Sequence, residues 1–213
     1  MVQGVQLRTY VFIDQLQPQF AAYSASVAAG YLPVVGQAAL YVEVAPGMPI
    51  NHLMDVALKA TNVRPAELIV ERQFGFLELH SDSQADVRQA GQAILNVLEL
   101  KESDRIKPKV VAHQVIRHVD DHHAMLINRV KRKGMMLIPK QTLFIMETYP
   151  AGYATIAANE AEKAAEINII SIRATGAFGR VYLGGEEADI MVASEAARRA
   201  VEDLDGIEEI KSK

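Results

Sequence analysis

The 213-residue chain has no cysteine, which excludes disulfide frameworks, thiol nucleophiles and cysteine-ligated zinc and fits a reducing compartment. It has no basic excess either. Its 22 Lys and Arg stand against 26 Asp and Glu, a net charge of −4, so no cationic field is available to hold nucleic acid or an anionic membrane. Long apolar runs are also missing. Gln15 to Val42 carries no charge, yet glutamines, serines, tyrosines, Pro33 and two glycines interrupt it before it reaches the ~18 apolar residues of a membrane span. The opening Met1-Val2-Gln3-Gly4-Val5 lacks the basic-then-apolar order of a secretory signal, and a cytoplasmic protein is expected. What is present is a hydrophobic fraction of 50%, the composition of a globular protein.

The chain repeats itself at a spacing that holds through most of each copy. Gly30, Gln37, Glu43 and Pro46 fall on Gly134, Gln141, Glu147 and Pro150, and Ala57, Lys59, Ala60, Phe74, Gly75 and Leu79 fall on Ala161, Lys163, Ala164, Phe178, Gly179 and Leu183. Ala85-Asp86 then matches Ala188-Asp189 with the second copy one residue shorter, so the chain reads as a structural duplication. In the second copy, Val110 to Ile116 predicts a strand and Asp120 to Lys133 a helix stopped at Gly134. A β-rich run follows over Leu137 to Thr148, a helix over 153–166, strands over 167–174 and 180–183, and a helix carrying Ile190, Ala193, Ala197, Ala200, Val201 and Leu204. The first copy matches the last of these with Val87, Ala90, Ile94, Val97 and Leu98. The pattern predicts two α+β domains, 1–102 and 107–208, each an antiparallel sheet with helices on one side, joined by the polar stretch Lys101 to Pro108.

Leu143-Phe144-Ile145-Met146-Glu147-Thr148, then Ile156, Ala157-Ala158, Lys163-Ala164-Ala165 and Ile167, then a Gly-rich turn and Gly184-Gly185 before a helix, resembles the bacterial microcompartment shell domain. Both copies keep this order. The strand that usually closes the family domain appears instead ahead of the Met-Glu-Thr strand, as Val115-Ile116-Arg117-His118. The resemblance therefore implies two tandem, circularly permuted, ferredoxin-like domains of the kind that form trimers imitating a hexamer.

Glu71 and Arg72 sit together in a turn between predicted strands, where surface charges ordinarily do little. The resemblance gives them the role of a pore gate, as in the carboxysome subgroup, with Gln73, Phe74 and Gly75 and the uncharged partner turn Thr175-Gly176-Ala177-Phe178-Gly179 lining the pore. That partner turn lacks the Lys-Ser/Thr of a nucleotide loop, but its backbone N–H groups can offer weak hydrogen bonds to passing anions. Lys59 and Lys163 near matching helix ends answer the helix dipole, and the resemblance adds an edge role between tiles, shared with Arg117. The first-copy residue matching Arg117 is Ile13, so the edges cannot all be alike.

Asp120-Asp121-His122-His123 invites a metal reading, but neighbouring residues on a helix point to different sides, and a solvated acidic first turn is expected. Ser, His and Asp are too scattered for a triad. No enzyme activity, cofactor or metal is expected. The charge-free helix of Pro18 to Ala29 contrasts with its charged repeat mate and suggests a contact surface. The resemblance implies a shell subunit that tiles with other shell proteins, stacks as paired trimers and passes small anions such as ribulose bisphosphate and phosphoglycerate. The residues alone leave open a soluble trimeric regulatory protein that binds a small ligand and does not tile.

Overall fold

The computed structural model describes residues 4–209, so residues 1–3 of the first expected domain lie outside the described residues. The first copy runs β1 (Gln6–Ile13), α1 (Pro18–Val27), β2 (Ala38–Ala45), α2 (Ile50–Ala60), β3 (Arg64–Glu71), β4 (Phe74–Ser81) and α3 (Gln84–Leu98). The second repeats it as β5 (Lys109–Ile116), α4 (Asp121–Val130), β6 (Thr142–Tyr149), α5 (Ala154–Ala164), β7 (Asn168–Arg173), β8 (Gly179–Gly185) and α6 (Glu187–Glu202). Two four-stranded sheets result, ordered β1-β2-β4-β3 and β5-β6-β8-β7, with every neighbouring pair antiparallel. Each sheet has the ferredoxin-like order once its first strand is counted last, which is the mark of the permutation expected from sequence.

Strand alternation assigns the faces. Leu40, Val42 and Val44 of β2 meet Leu77 and Leu79 of β4 under α2 and α3. Those helices contribute Leu53, Met54 and Ala57, and Val87, Ala90, Ile94, Leu95 and Leu98, at helical spacing. Each large aliphatic side chain so buried is worth about 1.5–3 kcal/mol. Ser83 starts α3 by accepting from Asp86 N, and Glu99 ends it in the left-handed region at φ 57°.

The opposite face of the first sheet is also covered. Val11, Ile13, Ala39, Tyr41 and Phe76 join one continuous core with Tyr153, Ala154, Ala157, Ala158 and Ala161 of the second copy. Ala151, Gly152 and Tyr153, just ahead of α5, meet β1 and β2, so the seam between the copies is itself hydrophobic core. Helix α1 packs in this seam against α5 and β7. It has no acidic first turn of its own; instead the Glu162 carboxylate accepts from Gln19 N at 2.7 Å and Phe20 N at 2.8 Å, and Asn159 Oδ1 accepts from Gln17 N at 3.0 Å. The charge-free helix is therefore an inter-copy contact. Its mate α4 faces no such partner among the described residues and is capped by its own Asp120, which accepts from His122 N.

The helices are distributed differently from the one-sided arrangement expected for each sheet. Two of the three helices in each copy share a face, whereas α1 and α4 take the other; α4 covers Leu143, Ile145 and Tyr182 through Ala124 and Ile127. Helix α4 also ends at Val130 rather than Lys133. Gly134 is needed for close approach, since a Cβ there would stand 2.3 Å from Ile170 O, just as one at Gly30 would stand 2.3 Å from Pro65 O. The β-rich run begins at Thr142 rather than Leu137, because Asn128 holds Leu137 in a loop by accepting from its N and donating to its O, both at 2.8 Å.

The polar connecting segment is packed rather than slack. Arg105 donates to Tyr10 O at 2.9 Å and Asp205 O at 2.8 Å, while Ile106 O accepts from the Tyr153 hydroxyl at 2.8 Å. Among the described residues no helix is long and apolar enough to cross a membrane.

Candidate functional site

The two hairpin tips, β3–β4 and β7–β8, come together in the folded chain. Arg72 turns the first tip with φ 54°, a left-handed conformation that costs a side-chain-bearing residue about 1–2 kcal/mol. Gly176 turns the second at φ 99°, where only glycine is at ease. Between the tips lies a cavity of about 420 Å³ lined by Glu71, Arg72, Gln73 and Phe74 from one copy and Gly176, Ala177 and Phe178 from the other. Arg173 and Arg180 complete the wall.

Three expected lining residues stand apart from it. Gly75 and Gly179 are buried in their strands, where a Cβ would collide at 2.3 Å with Gly47 O and Ala151 O respectively, so their glycines serve strand-to-turn packing. Thr175 lies instead beside α1, in a second cavity with Tyr41 and Glu67.

Sequence reasoning missed the two arginines. They are cross-strand neighbours at the root of the uncharged turn, and the signal was their symmetric bracketing of it. Arg173 Nη2 lies 3.5 Å from Glu71 Oε1, which joins one tip to the other within the chain. Arg180 Nε lies 2.6 Å from Glu147. Burial lowers the pKa of Lys131, and the charges of Arg180 and Arg173 push it the same way, so this corner holds a cationic surplus.

Lys59 and Lys163 occupy the last turns of α2 and α5, both exposed, with Lys59 2.6 Å from Asp55 and Lys163 3.6 Å from Glu160. Arg117 pairs with Glu187 just after β5; Ile13 opposes Ala39 as Ile116 opposes Leu143, so the first-copy counterpart of Arg117 is the exposed Asp14 rather than the expected Ile13. No ion pair or hydrogen bond joins any two of Lys59, Lys163 and Arg117 among the described residues. In the Asp120–His123 run, Asp120 is occupied in capping and Asp121 lies 2.8 Å from Lys140.

A family model described as the CsoS1D N-terminal domain matches residues 7–104. The carboxysome shell protein CcmP of Synechococcus elongatus is 52% identical over 96% of this chain and 96% of its own length. Among solved structures, the fused permuted hexameric shell protein MSM0275 of the RMM microcompartment superposes with a TM-score of 0.92 at 44% identity, over 95% of this chain and 100% of that one. The double-ringed trimeric shell protein MSM0271 of the same microcompartment gives 0.92 at 40% identity, over 96% and 100%. Relatives this similar over nearly the whole chain, with the same permuted double domain, leave one assignment: the chain belongs to the family of tandem, permuted microcompartment shell proteins that includes CcmP and CsoS1D.

Proposed function

We propose that this chain is a structural, non-catalytic subunit of a carboxysome shell, that it assembles as a trimer imitating a hexamer, and that the trimer carries a gated pore. One observation supports the trimer most directly. Within the chain, the outer face of the first sheet is closed by α1 and the second copy, whereas on the matching face of the second sheet the strip beyond α4 is open. Val111 on β5 is 48% exposed, and an open cavity of about 420 Å³ lies on this face over His113, Glu147 and Tyr182. The complementary element is bare too: Met48 ahead of α2 is 71% exposed, whereas its repeat equivalent Gly152 is buried and donates its N–H to Glu43 at 3.3 Å. Repeating the internal seam from one chain to the next is a heterologous contact, and it closes after three chains if each copy turns by about a sixth of a circle.

The two wedges of each chain are then the domains 1–102 and 107–208, with the hairpin tips nearest the axis. Glu71 and Arg72 form the gate. Around it, Arg72, Arg173 and Arg180 outweigh Glu71, which favours small anions in transit such as ribulose bisphosphate and phosphoglycerate. Lys59, Lys163 and Arg117 make the edge contacts to neighbouring tiles, whether copies or other shell proteins. The double-ringed relative MSM0271 supports face-to-face stacking of two trimers.

Light scattering of the purified chain, with electron microscopy of concentrated protein and a map of the axis, tests this reading. Trimers or paired trimers packing edge to edge are expected, and a monomer showing no concentration dependence would overturn it. Replacing Glu71 and Arg72 together with Ala should abolish pore closure while preserving the trimer. An unchanged mixture of pore states in that variant would remove the gate assignment.

A further inference from the structure

Arg8 has a position that neither capping nor core packing explains. It is the unpaired residue of a β-bulge, where the β1–β2 register shifts between Leu7 and Thr9. A bulge bends the strand and re-aims its side chains, here placing Arg8 and Thr9 together on the seam face. Both grip Glu43: Arg8 Nε donates to Oε1 at 3.2 Å and the Thr9 hydroxyl to Oε2 at 3.0 Å. The side chain is only 2% exposed, yet its Nη2 has no hydrogen-bond partner among the described residues.

Aromatic rings hold the guanidinium where oxygens do not. Its central carbon lies 3.8 Å from the centroid of Phe74, the residue that ends the first-copy tip, and 5.1 Å from that of Tyr149. Arg8 Nη1 also donates to the Tyr149 hydroxyl at 3.3 Å, which in turn donates to Glu209 at 2.5 Å. Tyr149 also meets Phe178 of the second-copy tip, with ring centroids 6.0 Å apart. One unbroken line of contacts therefore runs Phe74, Arg8, Tyr149, Phe178.

We propose that Arg8 is a positioning residue that couples the two hairpin tips of each chain, through its guanidinium between Phe74 and Tyr149 and through Tyr149 on Phe178. The proposal builds on the reading of these tips as the pore mouth and names how their movements are linked. Phe74 stands at the root of the turn Glu71 to Gln73, and a shift of that root reaches the second tip. The repeat shows that this linkage is particular to one copy. The bulge between Val110 and Ala112 makes Val111 the equivalent residue, and Val111 has no charge to place between rings.

Hydrogen exchange on the full-length assembled protein tests the coupling, because it reads the second tip after a change in the first. Phe74→Leu keeps the Arg8–Glu43 pair and removes only the ring. It is expected to speed amide exchange about tenfold over residues 174–179 as well as over 71–76, the factor given by losing a desolvated cation–π contact. Arg8→Lys, which retains charge without the planar stack, should do the same, whereas Tyr149→Phe, which keeps both ring contacts, should stay within about twofold of wild type. If Arg8→Lys does not fold, Phe74→Leu still decides. Exchange over 174–179 unchanged in a trimeric Phe74→Leu variant would overturn the coupling. A density map placing Glu71 and Arg72 away from the axis would overturn the gate reading, while the exchange result would still decide the coupling.

Discussion

Arg173 and Arg180 face each other in register across β7 and β8, directly below a turn that carries no charge. Like charges opposed on paired strands repel. Each is answered by a carboxylate from elsewhere, Arg173 by Glu71 of the other copy and Arg180 by Glu147 of β6. The matching first-copy pair is Ile69 and Phe76, so the two tips divide the labour: one carries charge at its point, the other at its root.

Glu71→Ala removes the only acidic group that lines that cavity among the described residues and leaves Arg72, Arg173 and Arg180 facing it. Three chains meeting at an axis would then repel more strongly at low salt. Light scattering should show the variant trimer weakened near 0.01 M salt, where charges act over about 30 Å, and recovering near 0.1 M, where screening cuts that reach to about 10 Å. The wild type should change far less. Identical salt profiles would mean that the tips do not converge.

The cap that the second copy supplies to α1 gives a direct stability test. Glu162→Ala leaves Gln19 N and Phe20 N without their acceptor in a part-buried site. A loss of about 1–2 kcal/mol is expected in urea unfolding. Glu160→Ala, which removes a longer contact to the exposed Lys163 and one hydrogen bond from Asn159 Nδ2 at 3.2 Å, should cost less, about 0.5–1 kcal/mol. Equal losses would show that the cap contributes nothing special.

Much of the fold was legible because duplication doubled the signal: Gly30 with Gly134, and Lys59 with Lys163, mark the same structural places twice. The Asp120 to Lys133 helix ran too long because a glycine at its end looked like a stop signal, whereas the glycine answers a carbonyl on β7, remote in sequence. The first-copy tip was visible from Glu71 and Arg72, but not its surroundings. Arg8 lies far from both tips in sequence and reaches Phe74 and Tyr149 only through a bulge, a shift of register that no periodicity announces. The seam was half legible: the missing charge in Pro18 to Ala29 marked a contact, while Glu162 as its cap required the fold.

Glu67 makes stability depend on pH in a stated direction. Burial pushes its carboxyl up to about 7, with the charge of Glu78 adding to the rise and Lys133 opposing it. A raised carboxyl stabilises the fold fully below its ordinary value of 4.5, and that contribution is lost as pH climbs through about 7. Glu67→Gln mimics the protonated form. Thermal unfolding from pH 4.5 to 8 should give a flatter profile for the variant, which should exceed the wild type at pH 8 by about 1–2 kcal/mol. Parallel profiles would show that Glu67 is already ionised in the fold.

Val111→Asp separates assembly from folding most cleanly. In the single chain Val111 is half exposed on the outer face of β5, so a carboxylate there stays hydrated and should change monomer stability by no more than about 0.5 kcal/mol. In the proposed trimer the same position lies under the next chain's first copy, as Arg8 lies under the second copy within the chain. An unpaired charge buried in such a seam costs several kcal/mol, and it is repeated at all three contacts. Met48→Asp attacks the same seam from the other side: Met48 is exposed in the chain, but its equivalent Gly152 donates to Glu43 across the internal seam, so in the proposed trimer the matching acceptor would be Glu147 of a neighbour. Aspartate at position 48 would set a carboxylate against that glutamate. Both variants should keep the wild-type circular dichroism and appear as monomers by light scattering at concentrations where the wild type is trimeric. Trimers surviving either substitution would show that the second sheet's outer face is not where the chains meet.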